Sequence, residues 1–422
     1  MAVQHRKIQV DQLVVGMYVS QLDRPWVETP FPLQGFSVRE LGDIDRLKRY
    51  CQYVYVDVVR SNFSGMTAKN APSAQSTVPS VTAAVYSPRY RPLATELQEI
   101  TPLFADYIRR MQVLEPQLRR GDPLVLQSIR QITTTMVDSI LRNPNALVWL
   151  AHGWKQEKNA FVHALRSAVW ALVFGRHLGL SHSALHILAQ AMLLMDTGKG
   201  ALPAALQVRT PQNVAEQALF QKHVDYGVAM LSHCQTLDPM IIQVVAQHHE
   251  RYDGSGYPQR LSGKAILPMA KIAGIVDCYE QMYFPEEQED ACSSSQVINR
   301  LCALRNHAFQ SSLVDEFVQA IGLYPSGALV QLTSRQVGVV LEPNPGQRFR
   351  PKVAILRTAT GERCEAAFLL DLSKVLHDEQ GQPLKIHAGL RTGAIALPPR
   401  VDLPGLLHGA ENNNSYWQEM AS

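Results

Sequence analysis

The chain has 422 residues, of which 46% are apolar and 18% charged, and its net charge is +3 at neutral pH. That length holds two or three domains at roughly 100–200 residues each. So small a net charge excludes a surface built for a nucleic-acid polymer, and no apolar run reaches the ~18 residues of a membrane span.

The N-terminal stretch mixes strand and helix signals. Ile8, Val10, Leu13 and Val15 lie in a β-like segment continuing through Gly16-Met17-Tyr18-Val19. Pro30, Pro32 and Gly35 punctuate a loop, Arg39 to Tyr50 places Leu41, Ile44, Leu47 and Tyr50 on one helical face, and Tyr53 to Val58 predicts a strand. The expectation is a small α+β domain over 1–60. Residues 61–92 are rich in Ser, Ala, Thr and Pro and predict a flexible linker, because they offer too little apolar surface to offset ordering entropy.

From Leu93 to about Gly322 the spacing is helical nearly throughout. Connecting helices are expected over 93–145 and a helical domain over 146–324. Asp238-Pro239 is a helix start, with an N-cap followed by proline, while Gly179 ends one helix and Ser181 or Ser183 begins the next. Ala184 to Met195, apolar almost all round, predicts a central buried helix. Ala328–Leu332, Gln336–Leu341 and Lys352–Leu356 predict strands, with a turn at Asn344-Pro345-Gly346, so a small β-rich extension is expected over 325–403 and a loose tail over 404–422. The fold class is therefore multidomain and mainly α, an all-α core between a small α+β domain and a small β appendage. The N-terminus lacks a signal-peptide apolar stretch, and the six cysteines form no CxxC pair. Both features point to reduced thiols and a cytoplasmic location.

Residues that could carry chemistry gather in the helical region. The helix after Asp238-Pro239 delivers His248 and His249 at its end, directly before the turn-forming Asp253-Gly254-Ser255-Gly256. Adjacent imidazoles diverge by about 100° on a helix, so both reach one site only where the helix gives way to a loop. The pair is either a metal or phosphate site or a polar helix terminus. Asp196 ends the central helix, in Asp196-Thr197-Gly198-Lys199. A buried carboxylate needs a partner, which a metal or Lys199 could supply. His163 and His223 stand on separate helices and Asp277 interrupts the core helix from Met269 to Tyr283. A lone helical histidine is more often structural than ligating.

In this order the pieces resemble the HD-GYP family, bacterial metal-dependent phosphodiesterases acting on cyclic di-GMP. The resemblance spans about Asn159 to Tyr324, and His248-His249-Glu250-Arg251-Tyr252-Asp253-Gly254-Ser255-Gly256-Tyr257-Pro258 matches the family signature throughout. Val10 to Asp57 is similar to a small domain often found ahead of this module. The resemblance implies an HD-type helical core and a two-metal site lined by His163, Asp196, His223, His248, His249 and Asp277. Asp196 would bridge the ions and Lys199 would approach the phosphate. The ions would be iron, manganese or zinc, one or two per chain. The loop Glu250, Arg251, Asp253, Gly254, Gly256, Tyr257 and Pro258 would border the substrate and contact partners such as a diguanylate cyclase or other signalling proteins.

The sequence departs from the family in two places. Met195 stands where the namesake histidine is expected, and a thioether is a soft, weak ligand for these metals. Past Asp277 the family has a basic residue about nine positions on and another about twelve on, whereas Glu286 and Glu289 occupy those places and would repel a phosphate. Asn159 replaces an acid that supports a third metal in some members, so no third ion is expected. The resulting expectation is a cyclic di-GMP signalling module whose hydrolysis is weakened or lost and which acts in part as a regulatory or interaction module. The alternative is an active phosphodiesterase that yields pGpG or GMP by a two-metal mechanism.

Overall fold

The structure, a computed structural model, describes residues 5–24, 36–38, 40–57, 90–119, 123–153, 160–208, 211–234, 236–285, 290–344 and 347–395. The expected linker lies almost wholly outside these residues. So do Pro30, Pro32, Gly35, Asn159, Glu286, Glu289, Pro345, Gly346 and the tail. The chain divides into two compact units.

The first unit is an antiparallel sheet with one helix. Its elements are β1 (His5–Gln9), β2 (Tyr18–Leu22), β3 (Phe36–Ser37), α1 (Leu41–Tyr50) and β4 (Tyr53–Asp57), with sheet order β1-β4-β2-β3. The single β stretch expected from Ile8 to Val19 is in fact two strands. A 3-10 turn at Val10–Gln12 and Gly16, at φ 100°, break it, after the backbone N–H of Val10 has donated to Gln52 O at 3.1 Å in register with the β1–β4 pairing. Val10 and Leu13 are buried, while Val15 is 44% exposed. Ile44 and Leu47 of α1 join the core as the spacing predicts, but Leu41, in the first turn, is 72% exposed.

The second unit runs from α2 (Leu93–Arg119), α3 (Pro123–Arg142) and α4 (Pro144–Gly153) to α5 (Ala160–His177) and α6 (His182–Leu194). It continues through α7 (Ala204–Val208), α8 (Val214–Gln221), α9 (His223–Ser232) and α10 (Pro239–Gln247) to α11 (Pro268–Tyr283), α12 (Ser294–Ala303) and α13 (Ser311–Ile321). The helix starts obey their local chemistry. Ser181 caps α6 by accepting from Ala184 N at 3.2 Å, and Asp238 caps α10 by accepting from Met240 N at 2.8 Å. One large apolar core, with Trp170, Phe174, Leu188, Met192, Val245 and Tyr279 fully or almost fully buried, joins these helices. Each such side chain removed from water contributes roughly 1.5–3 kcal/mol.

The unit closes with β5 (Leu329–Leu332), β6 (Val337–Glu342), β7 (Lys352–Arg357), β8 (Arg363–Asp371) and β9 (Ile386–Gly389), an antiparallel sheet in the order β8-β7-β6-β5-β9. Val339, Leu341, Ala354 and Leu356 face the helical core, and the alternating Val330, Val340, Val353 and Ile355 fill a second, smaller core. The architecture is mainly α with a small sheet at either end, as expected. β8 and β9 extend the three strands predicted. Among the described residues no helix is long and apolar enough to cross a membrane.

Candidate metal centre

Five segments deliver the polar residues to one buried place. α6 is apolar almost all round and ends at Leu194, and beyond the buried Met195 the chain turns into the 3-10 segment Thr197–Ala201 with Asp196 at its head. Gly198 lets this segment press against α9. A Cβ on Gly198 would lie 1.9 Å from His223 O and 2.4 Å from Gly227 N, so only glycine fits. Thus the first residue of α9, His223, is pinned beside Asp196. α10 ends at Gln247, and the backbone changes course over His248 and His249, which brings both rings inward with centroids 4.0 Å apart. The two imidazoles do meet at one site, at the end of the helix where the spacing requires them to.

Asp196, His223, His248 and His249 offer ligand atoms that all lie within 4.8 Å of one another. The Nδ1–H of His223 donates to Phe220 O and that of His248 to Val245 O, both at 2.7 Å. The Nε2 atoms of His223, His248 and His249 are buried without a hydrogen-bond partner. Unpartnered buried polar atoms are costly, and three histidines carrying them, clustered with one carboxylate, fit a divalent cation. Their nitrogen and oxygen chemistry suits iron, manganese or zinc. Asp196 Oδ1 is 3.5 Å from His223 Nε2 and 4.0 Å from His248 Nε2.

His163 and Asp277 form a second group around Asp196, joined to the first by Asp277 Oδ2, 3.9 Å from His249 Nδ1. His163 Nε2 is 3.1 Å from Asp277 Oδ1 and 3.5 Å from Asp196 Oδ2, while its Nδ1 meets Glu280 Oε2. Lys199 Nζ bonds Asp196 Oδ2 at 2.8 Å and sits 5.4 Å from the Phe220 ring centroid. Gln281 Nε2 donates to Asp277 Oδ1 at 2.8 Å. Arg166 Nη1 lies 3.6 Å from Glu280 Oε1. Met195 is fully buried in the apolar core.

The electrostatics divide the same way. Burial pushes His248 down to about 4, against the pull of Asp196. Burial likewise lowers His223, and it lowers His249 well below the ordinary imidazole range, with His248 and His223 adding to the shift. These rings are neutral and ligand-ready at pH 7. Burial also opposes charge on His163, but Glu280 and Asp277 outweigh it and hold the ring up at about 10. Burial would raise Asp196, yet Lys199 and then His163 keep it well below the usual carboxylate range.

The signature loop is held from beneath. Glu250, buried, accepts from Gln259 N at 2.7 Å and Leu261 N at 2.8 Å. Arg251 turns inward, donating to His248 O at 3.2 Å and Glu250 O at 3.1 Å, with its guanidinium 5.2 Å from the Phe309 centroid. Asp253 accepts from Ser255 N at 2.9 Å, and Gly254 takes φ +83°. Gly256 is buried so tightly that a Cβ would lie 2.4 Å from His249 O. Tyr257 stacks on His249 at 4.7 Å, before a cis bond to Pro258. Sequence reasoning missed Glu280 and Arg166. The rule that singled out Asp277, an acid inside an apolar helix, applies equally to Glu280 three residues on.

Residues 152–313 match the family described as HD domain. Over that span the chain carries an HD domain. Residues 5–129 match a domain of unknown function, DUF3391, a span reaching past β4 into α3. A cyclic di-GMP phosphodiesterase of Pseudomonas aeruginosa is 27% identical over 358 residues, 84% of this chain and 86% of that protein. The 3'3'-cGAMP-specific phosphodiesterase 2 of Vibrio cholerae is 31% identical over 155 residues, 36% of this chain and 30% of that one. An HDG"Y"P protein from Bdellovibrio bacteriovorus aligns in structure over 75% of this chain and 99% of its own, with TM-score 0.44 and 14% identity, a likeness too distant to argue from.

Proposed function

We propose that this chain is a cyclic di-GMP signalling module that holds a divalent metal and binds the dinucleotide, but hydrolyses it far more slowly than a complete two-metal site would, and so acts in part through partner proteins. The observation that carries the reading is the clustering of His223, His248 and His249, each with a buried unpartnered Nε2, around Asp196, with one ligand atom of each residue within 4.8 Å of the others, beside a Met195 that is sealed in the core where the family places a further imidazole. The long match to the Pseudomonas enzyme supports cyclic di-GMP as the ligand. His223, His248, His249 and Asp196 would hold the ion, with His163 and Asp277 facing Asp196 from the other side. When bound, a divalent ion supplies Lewis acidity toward a phosphodiester. Lys199, now on Asp196 Oδ2, is a flexible cation within reach of a phosphate oxygen brought to the centre. The loop from Glu250 to Pro258, rigid at its base and exposed at Asp253 and Ser255, offers a surface for a partner such as a diguanylate cyclase.

The test is hydrolysis. The chain is purified anaerobically, loaded with Mn(II) or Fe(II), and incubated with cyclic di-GMP, with 3'3'-cGAMP in parallel, and pGpG and GMP are resolved by chromatography. The native chain should bind cyclic di-GMP with little turnover, and Met195→His should raise turnover by about 10–100-fold, the range set by recovering one metal-site interaction. Robust native turnover that Met195→His leaves unchanged would instead establish the active phosphodiesterase.

A further inference from the structure

The two sides of Asp196 differ in what is left for a metal to take. On the His223 side the backbone carbonyls of Phe220 and Val245 occupy Nδ1 of His223 and His248, which fixes the tautomer and leaves each Nε2 lone pair pointing into the centre. His249 Nε2 is buried and unpartnered as well. The Nε2 atoms of His223 and His248 and Asp196 Oδ1, with a ring nitrogen of His249, form a four-residue donor set whose ligand atoms lie within 4.8 Å of one another.

On the His163 side most inward-facing atoms already have a partner, the exception being Asp277 Oδ2, which has only His249 Nδ1 at 3.9 Å. His163 Nδ1 meets Glu280 and His163 Nε2 meets Asp277 Oδ1 at 3.1 Å. Asp277 Oδ1 also accepts from Gln281 at 2.8 Å, and Asp196 Oδ2 accepts from Lys199 at 2.8 Å. Behind them Arg166, 3.6 Å from Glu280 and 4.0 Å from the Phe284 ring centroid, anchors the Glu280 carboxylate. The residue that would add a further nitrogen is Met195, whose thioether is sealed in hydrocarbon.

We propose that the centre takes a single divalent ion, on the side of His223, His248, His249 and Asp196 Oδ1. The opposite side is closed by the chain's own network of His163, Asp277, Glu280, Gln281 and Lys199. Glu280 and Gln281 are then positioning residues, which keep His163 and Asp277 engaged with each other. This inference rests on the metal-dependent reading above and sharpens it to a stoichiometry.

The experiment uses the full chain and metal alone, with no nucleotide, so its outcome is separate from whether cyclic di-GMP is bound or cleaved. The stripped chain is titrated with Mn(II), bound metal per chain is measured after desalting, and the electron paramagnetic resonance spectrum is recorded at saturation. About one ion per chain is expected, with the hyperfine pattern of an isolated Mn(II). His223→Ala should lower the affinity at least about tenfold, while His163→Gln should change it by less than about threefold. About two ions per chain, a spectrum of exchange-coupled ions, or no bound ion in the native chain would each overturn the proposal. A loss of affinity on His163→Gln equal to that on His223→Ala would do the same. The native spectrum decides the matter even where a variant fails to fold.

Discussion

Gly198→Ala should damage the centre without touching a ligand. The added methyl would lie 1.9 Å from His223 O and 2.4 Å from Gly227 N, against ordinary contacts of 3.4 Å or more. The 3-10 segment and α9 must therefore separate by about 1.5 Å, the difference between 1.9 Å and 3.4 Å. Both colliding atoms are backbone, so no side chain can swing away. Overpacking of this kind costs typically 1–3 kcal/mol, and here about 3 kcal/mol is expected. The same shift carries His223 away from Asp196, so Mn(II) affinity should fall by about 10–100-fold. Urea unfolding followed by circular dichroism reads the first effect, and calorimetric Mn(II) titration reads the second. Gly153→Ala, whose Cβ meets nothing within 4 Å, is the control and should shift stability by under about 1 kcal/mol. A Gly198→Ala chain that unfolds at the native urea midpoint and binds Mn(II) normally would refute the claim that this contact positions His223.

Three further outcomes follow from the same geometry. The metal-free chain should lose stability as the pH falls from about 6.5 toward 4. His248 titrates near 4 when folded and near 6.5 when unfolded, so the unfolded state takes the proton first, at a cost of ~3 kcal/mol of stability, ~2 kcal/mol of it by pH 5. His223 and His249 shift in the same direction, and His163, whose stabilisation is complete below about 6.5, changes little over that window. Equal urea midpoints at pH 7 and pH 5 would contradict this. Glu250→Gln turns one of its two acceptor positions into a donor facing a backbone N–H, so it should cost ~1–3 kcal/mol; hydrogen exchange over 257–263 should quicken about tenfold or more while α5 stays protected. Met195→Leu, a volume-conserving change in a dry core, should cost under ~1.5 kcal/mol. It should leave Mn(II) affinity unchanged, and a marked loss would make the thioether a ligand.

Much of this was legible in the sequence because local rules acted alone. Asp238-Pro239 announced α10 and so the place where His248 and His249 leave the helix, and the apolar run to Met195 announced a buried end for Asp196. Two features were hidden for physical reasons. Which atom of Asp196 faces which histidine depends on the packing of Gly198 on α9, a contact between segments about 25 positions apart. The partners of Glu280 are the second, since only the packing of α5 on α11 brings His163 and Arg166 against it. In the first unit, periodicity put Leu41 on the apolar face of α1, but in the first turn it has no neighbour to cover it, and it stays in water. The break after Gln9 is a 3-10 turn closed by the backbone N–H of Leu13 donating to Val10 O, which no pattern of side chains records.

Around the centre, the carboxylates Asp196, Asp277 and Glu280 face Lys199, Arg166 and the raised His163, so the buried charges cancel before any ion arrives. Small zinc modules must capture their metal in order to fold. Here the helices can close first and loading can follow, which separates synthesis of the protein from its activation. A chelator should then silence the site and leave the fold standing, and the supply of metal in the surroundings, rather than the amount of chain made, would set how many copies respond.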